Sequence, residues 1–242
     1  MNHNRTPRRI LSLVFVIASI AGLAACGIGG SSSLTVNDII SRAEAAHPND
    51  ATFTLKLAIN GSASGTTINT TFTGDGTETS SPTRSDIKLN GSFLGTAVVI
   101  ETITDGTTTY TKTTPSSTGD NKWSKSTGDS SDNINPDATS FFAGMKTPKL
   151  VGIEQINGHA TYHISGTAVL PTTTPTTSST SGTGTEDVWV RTDNFYPAKL
   201  SLQGSGSSFL GVNGSANLEI DFTKWDSGVT IALPPPSQVS GS

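Results

Sequence analysis

The sequence predicts a mainly β (α+β) protein: about ten strands in one strongly curved antiparallel sheet, a half-barrel, wrapped around one to three helices. Three observations carry that expectation. Of the 242 residues only 14% are charged and 33% hydrophobic, and Thr, Ser and 25 Gly fill much of the rest. Such a chain is poor in helix formers and suits pleated sheet. Apolar and polar residues alternate at period two in segment after segment, the pattern of half-buried strands. Asn-Gly and Asp-Gly pairs recur between those segments and tolerate the positive φ that two-residue hairpins need. A net charge of −4 is too small to keep a chain of this size disordered, and it argues against a basic nucleic-acid binder.

Residues 1–25 read as a signal peptide. Arg5, Arg8 and Arg9 precede the apolar run 10–20, the charged and hydrophobic regions of a secretory signal, too short to span a bilayer permanently. Its end, Leu23-Ala24-Ala25-Cys26, resembles a bacterial lipobox. That resemblance implies cleavage before Cys26, diacylglycerol on its thiol and acylation of the new amino terminus. The chain would then be held on the extracytoplasmic side of the cell membrane by two or three acyl chains, at ~0.8 kcal/mol per buried CH₂. Cys26 is the only cysteine, so no intramolecular disulfide forms. Loss of 1–25 removes three of 15 basic residues and no acids, leaving 12 against 19 and a net charge of −7. Residues 26–33 (Cys-Gly-Ile-Gly-Gly-Ser-Ser-Ser) form a lipidated flexible tether, roughly 15 Å long as a coil.

The folded domain is expected over 34–234. A helix over 36–46 follows from Ile39, Ile40, Ala43 and Ala46 at helical spacing, capped by Thr35 or Asn37 and ended by His47-Pro48. In 52–60, Phe53, Leu55, Leu57 and Ile59 alternate with Thr54, Lys56 and Ala58. Further strands are expected at 68–73, 84–89, 97–103, 107–112, 149–156, 160–169, 187–191, 198–203 and 216–222. Asn60-Gly61, Asn90-Gly91, Asp105-Gly106, Asn157-Gly158 and Asn213-Gly214 read as their hairpin turns. The sequon-like Asn60, Asn69, Asn90 and Asn213 are read as turn chemistry as well. A second helix is expected over 137–145, after Pro136, with Phe141, Phe142 and Met145 as its apolar side. Residues 115–132, polar apart from Trp123, and the Pro/Thr/Ser/Gly insertion 171–185 look unstructured. The tail 235–242 is expected to be disordered and exposed.

Little in this chain could do chemistry. His47, His159 and His163 remain after the signal is removed, without metal-ligand spacing, and no Gly-x-Ser-x-Gly elbow or phosphate loop occurs. No catalytic residue, metal or cofactor is assigned, and an enzyme is not expected; His159 and His163 read as surface or hairpin residues. One apolar feature is duplicated: Ser92-Phe93-Leu94-Gly95 and Ser208-Phe209-Leu210-Gly211 each join two strands. Exposed Phe and Leu at such tips suit plugs of a core or a lip around a lipid entrance.

The lipobox, the tether, the helix Asp38-Ile-Ile-Ser-Arg-Ala-Glu-Ala-Ala46 and two late motifs belong together. The motifs are Val188-Trp189-Val190-Arg191-Thr-Asp193 with Tyr196-Pro197-Ala-Lys199, and Phe222-Thr-Lys-Trp225-Asp-Ser-Gly228-Val229-Thr-Ile231. Over 34–234 the chain resembles the LppX/LprG-type (LppX_LprAFG) lipoproteins of actinobacteria and, more distantly, the LolA/LolB lipoprotein carriers. The resemblance implies a LolA-like half-barrel with an apolar cavity, and a carrier of lipids or acylated molecules across the envelope. The insertion 171–185 departs from the family pattern. An aliphatic concave face needs no catalytic groups to hold hydrocarbon, since burial of CH₂ supplies the affinity. Its candidate lining is Phe53, Leu55, Leu57, Ile87, Leu89, Val98, Ile100, Leu200, Leu202, Leu218 and Ile220, with Phe93, Leu94, Phe209 and Leu210 as the lip. The partners expected are a lipid or acylated ligand and the membrane. The alternative is a non-carrier surface lipoprotein acting as an interaction or sensor module on another envelope protein.

Overall fold

In the computed structural model the described residues are 34–63, 65–116, 119–128, 141–142, 144–169, 183–209 and 212–240. The signal, Cys26 and the tether lie outside them, as does nearly all of the insertion at 171–185.

Helix α1 (Val36–Ala45) starts at a capping box. Thr35 Oγ1 accepts from the Asp38 N–H at 3.2 Å, and the Asp38 carboxylate accepts from the Thr35 N–H at 2.9 Å. Its Ile39 and Ala43 are fully buried. Eleven strands follow: β1 (Asp50–Ala63), β2 (Thr66–Ser80), β3 (Thr83–Phe93), β4 (Thr96–Asp105), β5 (Thr108–Thr114), β6 (Ser124–Thr127), β7 (Met145–Ile156), β8 (His159–Val169), β9 (Thr183–Arg191), β10 (Pro197–Phe209) and β11 (Val212–Trp225). They form one antiparallel sheet in the order β6-β5-β4-β3-β2-β1-β11-β10-β9-β8-β7. Two meanders, β1–β6 and β7–β11, meet where β1 pairs with β11.

Laid flat, eleven strands would span about 48 Å, and a ten-residue helix is only ~15 Å long. Yet Ile39 and Ala43 share one buried cluster with Leu89 of β3 and Ile164 of β8. The fold is the expected open antiparallel sheet of the half-barrel kind, with the one described helix on its apolar face.

The structure departs from the sequence expectation in four places. Asp105-Gly106 and Asn157-Gly158 do turn, with Asn157 and Gly158 at φ 51° and 81°. Asn60-Gly61, Asn90-Gly91 and Asn213-Gly214 instead lie inside β1, β3 and β11. Their glycines admit close neighbours: a Cβ on Gly214 would sit 2.5 Å from the Gly61 Cα, and one on Gly91 would enter the Phe72 ring. The β3–β4 turn is made by Leu94-Gly95 instead, at φ 49° and 80°.

The second helix is not found over its described part. Phe141 and Phe142 lie in a turn and Met145 opens β7, although all three still enter the core. The polar stretch 115–132 contributes the extra strand β6. Lastly, the tail is ordered through residue 240: Pro236–Gln238 is a 3-10 turn and Val239 bridges Trp123. Trp123, Ile103, Ile231 and Val239 form a small second core there, because an isolated Trp gives the returning chain an apolar surface to cover. Asp50 fastens the start of that return, accepting hydrogen bonds from Ser227 N and Oγ, Gly228 N and Val229 N at 2.8–3.3 Å.

Candidate functional site: the concave apolar wall

Strand register assembles the concave face into rows that run across the sheet. One row reads Val98, Gly91, Phe72, Leu57, Leu218, Leu202, Glu186, Gly166 from β4 to β8. The next reads Ile100, Leu89, Gly74, Leu55, Ile220, Leu200, Val188, Ile164. A third carries Ile87, Gly76, Phe53 and Phe222. All eleven residues expected to line the concave face fall on these three rows. Period-two alternation in each strand, combined with unshifted pairing from β3 to β9 along the first two rows, puts them there.

Burial grades across the rows. Phe53, Leu55, Ile220, Val188 and Ile164 are buried, whereas Val98, Ile100, Leu202 and Leu218 are only partly buried. Sequence reading missed Phe72, which packs on Gly91, and the aromatic filling of Gly76 by Phe53. The sign was present in β2, where Phe72, Gly74 and Gly76 alternate with Thr and Asp, but glycine alone does not announce which ring will cover it.

Glu186 is the exception on this wall. Its alternation with Val188 and Val190 turns it to the concave face, where it is 8% exposed. Burial, with the nearby charge of Asp187, pushes its carboxyl up to about 7.

At the lip, Phe93 and Leu94 protrude at the β3–β4 turn, Leu94 being 63% exposed. Phe209 ends β10, and its side chain lies outside the described ones, as does Leu210. A cleft of about 300 Å³ opens beside Leu94, between Thr67–Thr71 and Ser92. Another of about 280 Å³ lies between Asn157, His159, Arg191 and the Tyr196–Asp226 side. Both are at the small end of the ~300–1,000 Å³ of ligand sites.

The convex face holds the remaining polar groups. His163 is clamped by Glu154 (Nδ1 to Oε1, 2.8 Å) and Asp187 (Nε2 to Oδ1, 2.9 Å). It stacks on Trp189 at 4.3 Å, whose indole N–H donates to Glu154 at 2.8 Å. The bonds from Trp189 and then His163 hold the Glu154 carboxyl below the usual carboxylate range. Lys199 reaches Asp221 at 3.7 Å. The Tyr196 hydroxyl donates to Asp226 at 2.9 Å. The late sequence motifs are thus used as ties between strands and loops. No set of three His, Cys, Asp or Glu side chains among the described residues is placed to hold a metal ion. His163 is largely covered on the convex face, and His159 begins β8 exposed.

Among solved structures, the fold is similar to that of LprF from Mycobacterium bovis, at 15% identity and a TM-score of 0.50, over 81% of this chain and 95% of that one. LppX from Mycobacterium tuberculosis aligns at 13% identity over 82% of this chain and 100% of that one, with a TM-score of 0.48. A LolA superfamily protein from Nitrosomonas europaea aligns at 13% identity over 84% and 96%, with a TM-score of 0.30. No curated protein matches the sequence significantly. The family model described as LppX_LprAFG lipoprotein matches residues 29–231, most of the chain. That family comprises lipoproteins and not enzymes, and this chain is no enzyme. The resemblance read from the lipobox, the helix and the Trp-Val-Arg and Tyr-Pro motifs is borne out: the chain belongs to the LppX_LprAFG lipoprotein family.

Proposed function

We propose that this chain is a membrane-anchored lipoprotein that binds or carries lipids or acylated molecules across the cell envelope on the concave face of its sheet. Cys26 is the lipidated anchor on the extracytoplasmic side, and Phe93 and Leu94 border the entrance. The observation that supports this reading is the first concave row. It crosses eight strands, about 34 Å along the curve, and its Val98, Leu202 and Leu218 are left partly exposed by the one described helix. Partly exposed aliphatic groups on a curved wall gain ~25 cal/mol per Å² when hydrocarbon covers them.

The test is organic extraction and native mass spectrometry of the full chain purified without added lipid. Bound lipid at near one per chain, lost in a Leu202→Asp/Leu218→Asp variant that still folds, is the expected result. A ligand-free chain that also fails to take up added oleate would refute the carrier reading. Intact mass after purification reports on Cys26: the cleaved, acylated mass is expected.

One observation favours the second reading, an interaction module. The edge strand β7 exposes Leu150, Val151 and Ile153, the last at 65%, and an apolar, unpaired edge is a surface on which another strand can dock. Cross-linking of the full chain to a protein through β7, with no extractable lipid, is the outcome that would select it.

A further inference from the structure

We propose that Glu186 is the polar anchor of the concave wall: it pairs with a hydrogen-bond donor, a hydroxyl or ammonium, in the head of an amphiphile whose hydrocarbon lies along the aliphatic row beside it. The inference deepens the carrier reading and rests on it.

The placement of Glu186 carries the argument. Its row continues through Leu202, Leu218, Leu57 and Phe72, so a carboxyl stands at one end of an otherwise apolar track. On the other side, β8 offers Gly166, covered by Met145 of β7, whose Cγ and Sδ occupy the space a Cβ on Gly166 would need. Along its own strand the concave neighbours are Gly184 and Val188. No hydrogen bond or ion pair from the described residues reaches the carboxyl, although the side chain is more than nine-tenths buried. The flanking Lys146, Lys149 and Lys199 belong to the other face by register. The charge that acts on Glu186 is Asp187, which faces the convex side and is engaged by His163.

A carboxyl set into an apolar row is unfavourable, and leucine at this position would suit the row better. A group that costs stability and has no partner among the described residues fits a role with a partner from outside. Burial also holds the carboxyl near neutrality, where its protonated form still accepts a hydrogen bond and gains the capacity to donate one. No catalytic step is implied.

The experiment is native mass spectrometry of the full chain incubated with equimolar 1-oleoylglycerol and methyl oleate, two probes with the same tail and different heads. The wild type is expected to favour 1-oleoylglycerol by about tenfold or more, the size of a hydrogen bond to a group that can ionise. Glu186→Leu is expected to bring the preference close to one while methyl oleate still binds. An equal preference in wild type and Glu186→Leu overturns the anchor and leaves the carrier reading standing. Failure of both probes to bind the wild type overturns the carrier reading and this inference with it. Should Glu186→Leu not fold, Glu186→Gln decides. Oleylamine binding strengthens between pH 6 and pH 8 in the wild type and stays flat in the variant, and equal pH responses overturn the anchor.

Discussion

Glu186 predicts an unusual pH dependence of stability. Its carboxyl titrates near 7 in the folded chain and at 4.5 when freely solvated. Between those values the folded state binds the extra proton, so stability falls as pH rises from about 5 to about 8 and levels off above. The full shift corresponds to at most ~3.4 kcal/mol. Solvent at the edge of the group screens part of this and brings it to roughly 2 kcal/mol. For a folded unit of about 200 residues that is ~4–8 °C in melting temperature. The assay compares thermal or urea unfolding of the wild type and Glu186→Gln at pH 5, 6, 7 and 8. Titration common to both proteins cancels in the difference. Glu186→Gln is expected to match the wild type near pH 5 and to exceed it by roughly 2 kcal/mol at pH 8. Parallel pH profiles for the two proteins would show that the carboxyl is solvated or already paired, and the reasoning from burial fails.

Other perturbations probe how the wall is built and held. Gly91→Val drives a branched side chain into the Phe72 ring and should cost about 3 kcal/mol in urea unfolding; a neutral result would mean that Phe72 does not lie over Gly91. Asp50→Asn removes a buried carboxylate that accepts four hydrogen bonds, a loss of about 2–3 kcal/mol at pH 7. Burial raises the Asp50 carboxyl, but the bonds from Ser227, Gly228 and Val229 outweigh it and lower it overall. Its contribution is therefore complete above the ordinary carboxylate range and disappears as pH falls through the lower folded value. Wild type and Asp50→Asn should converge in stability as pH falls below the ordinary carboxylate range, and a gap that persists at the acid end would contradict the assignment. Trp123→Ala takes away the surface on which Ile231 and Val239 pack. Limited proteolysis with thermolysin, which cuts on the amino side of aliphatic residues, should then cleave before Ile231 or Val239 in the variant and spare the wild type, and equal resistance would show that the tail is held by other contacts.

The strands of the sheet were legible because a half-buried strand prints its face directly into the sequence at period two. Phe53, Leu55 and Leu57 on β1, or Leu218 and Ile220 on β11, needed no partner to reveal which way they point. The capping box at Thr35 and Asp38 was equally local. Where reasoning failed, the deciding neighbour was distant in sequence. Asn90-Gly91 has the chemistry of a turn, yet it stays extended because Phe72 needs the space above Gly91 and Leu94-Gly95 can make the turn instead. Phe141 and Phe142 are as apolar as a helix face requires, but their burial beside Phe222 is met by a turn leading into β7. The tail looked disordered by composition, since nothing in 235–242 hints that Trp123 is its partner.

By itself, then, the sequence determined which residues form the apolar face, that the sheet is antiparallel and meandering, and which family the chain belongs to. Tertiary structure alone decided that β1 and β11 join the two meanders. It also decided that the rows run unbroken across eight strands, and that Glu186, an ordinary acid in sequence next to Asp187, faces the greasy side without a partner among the described residues. The physical reason is range: side-chain alternation is encoded within a strand, whereas register and burial depend on contacts between residues more than a hundred positions apart.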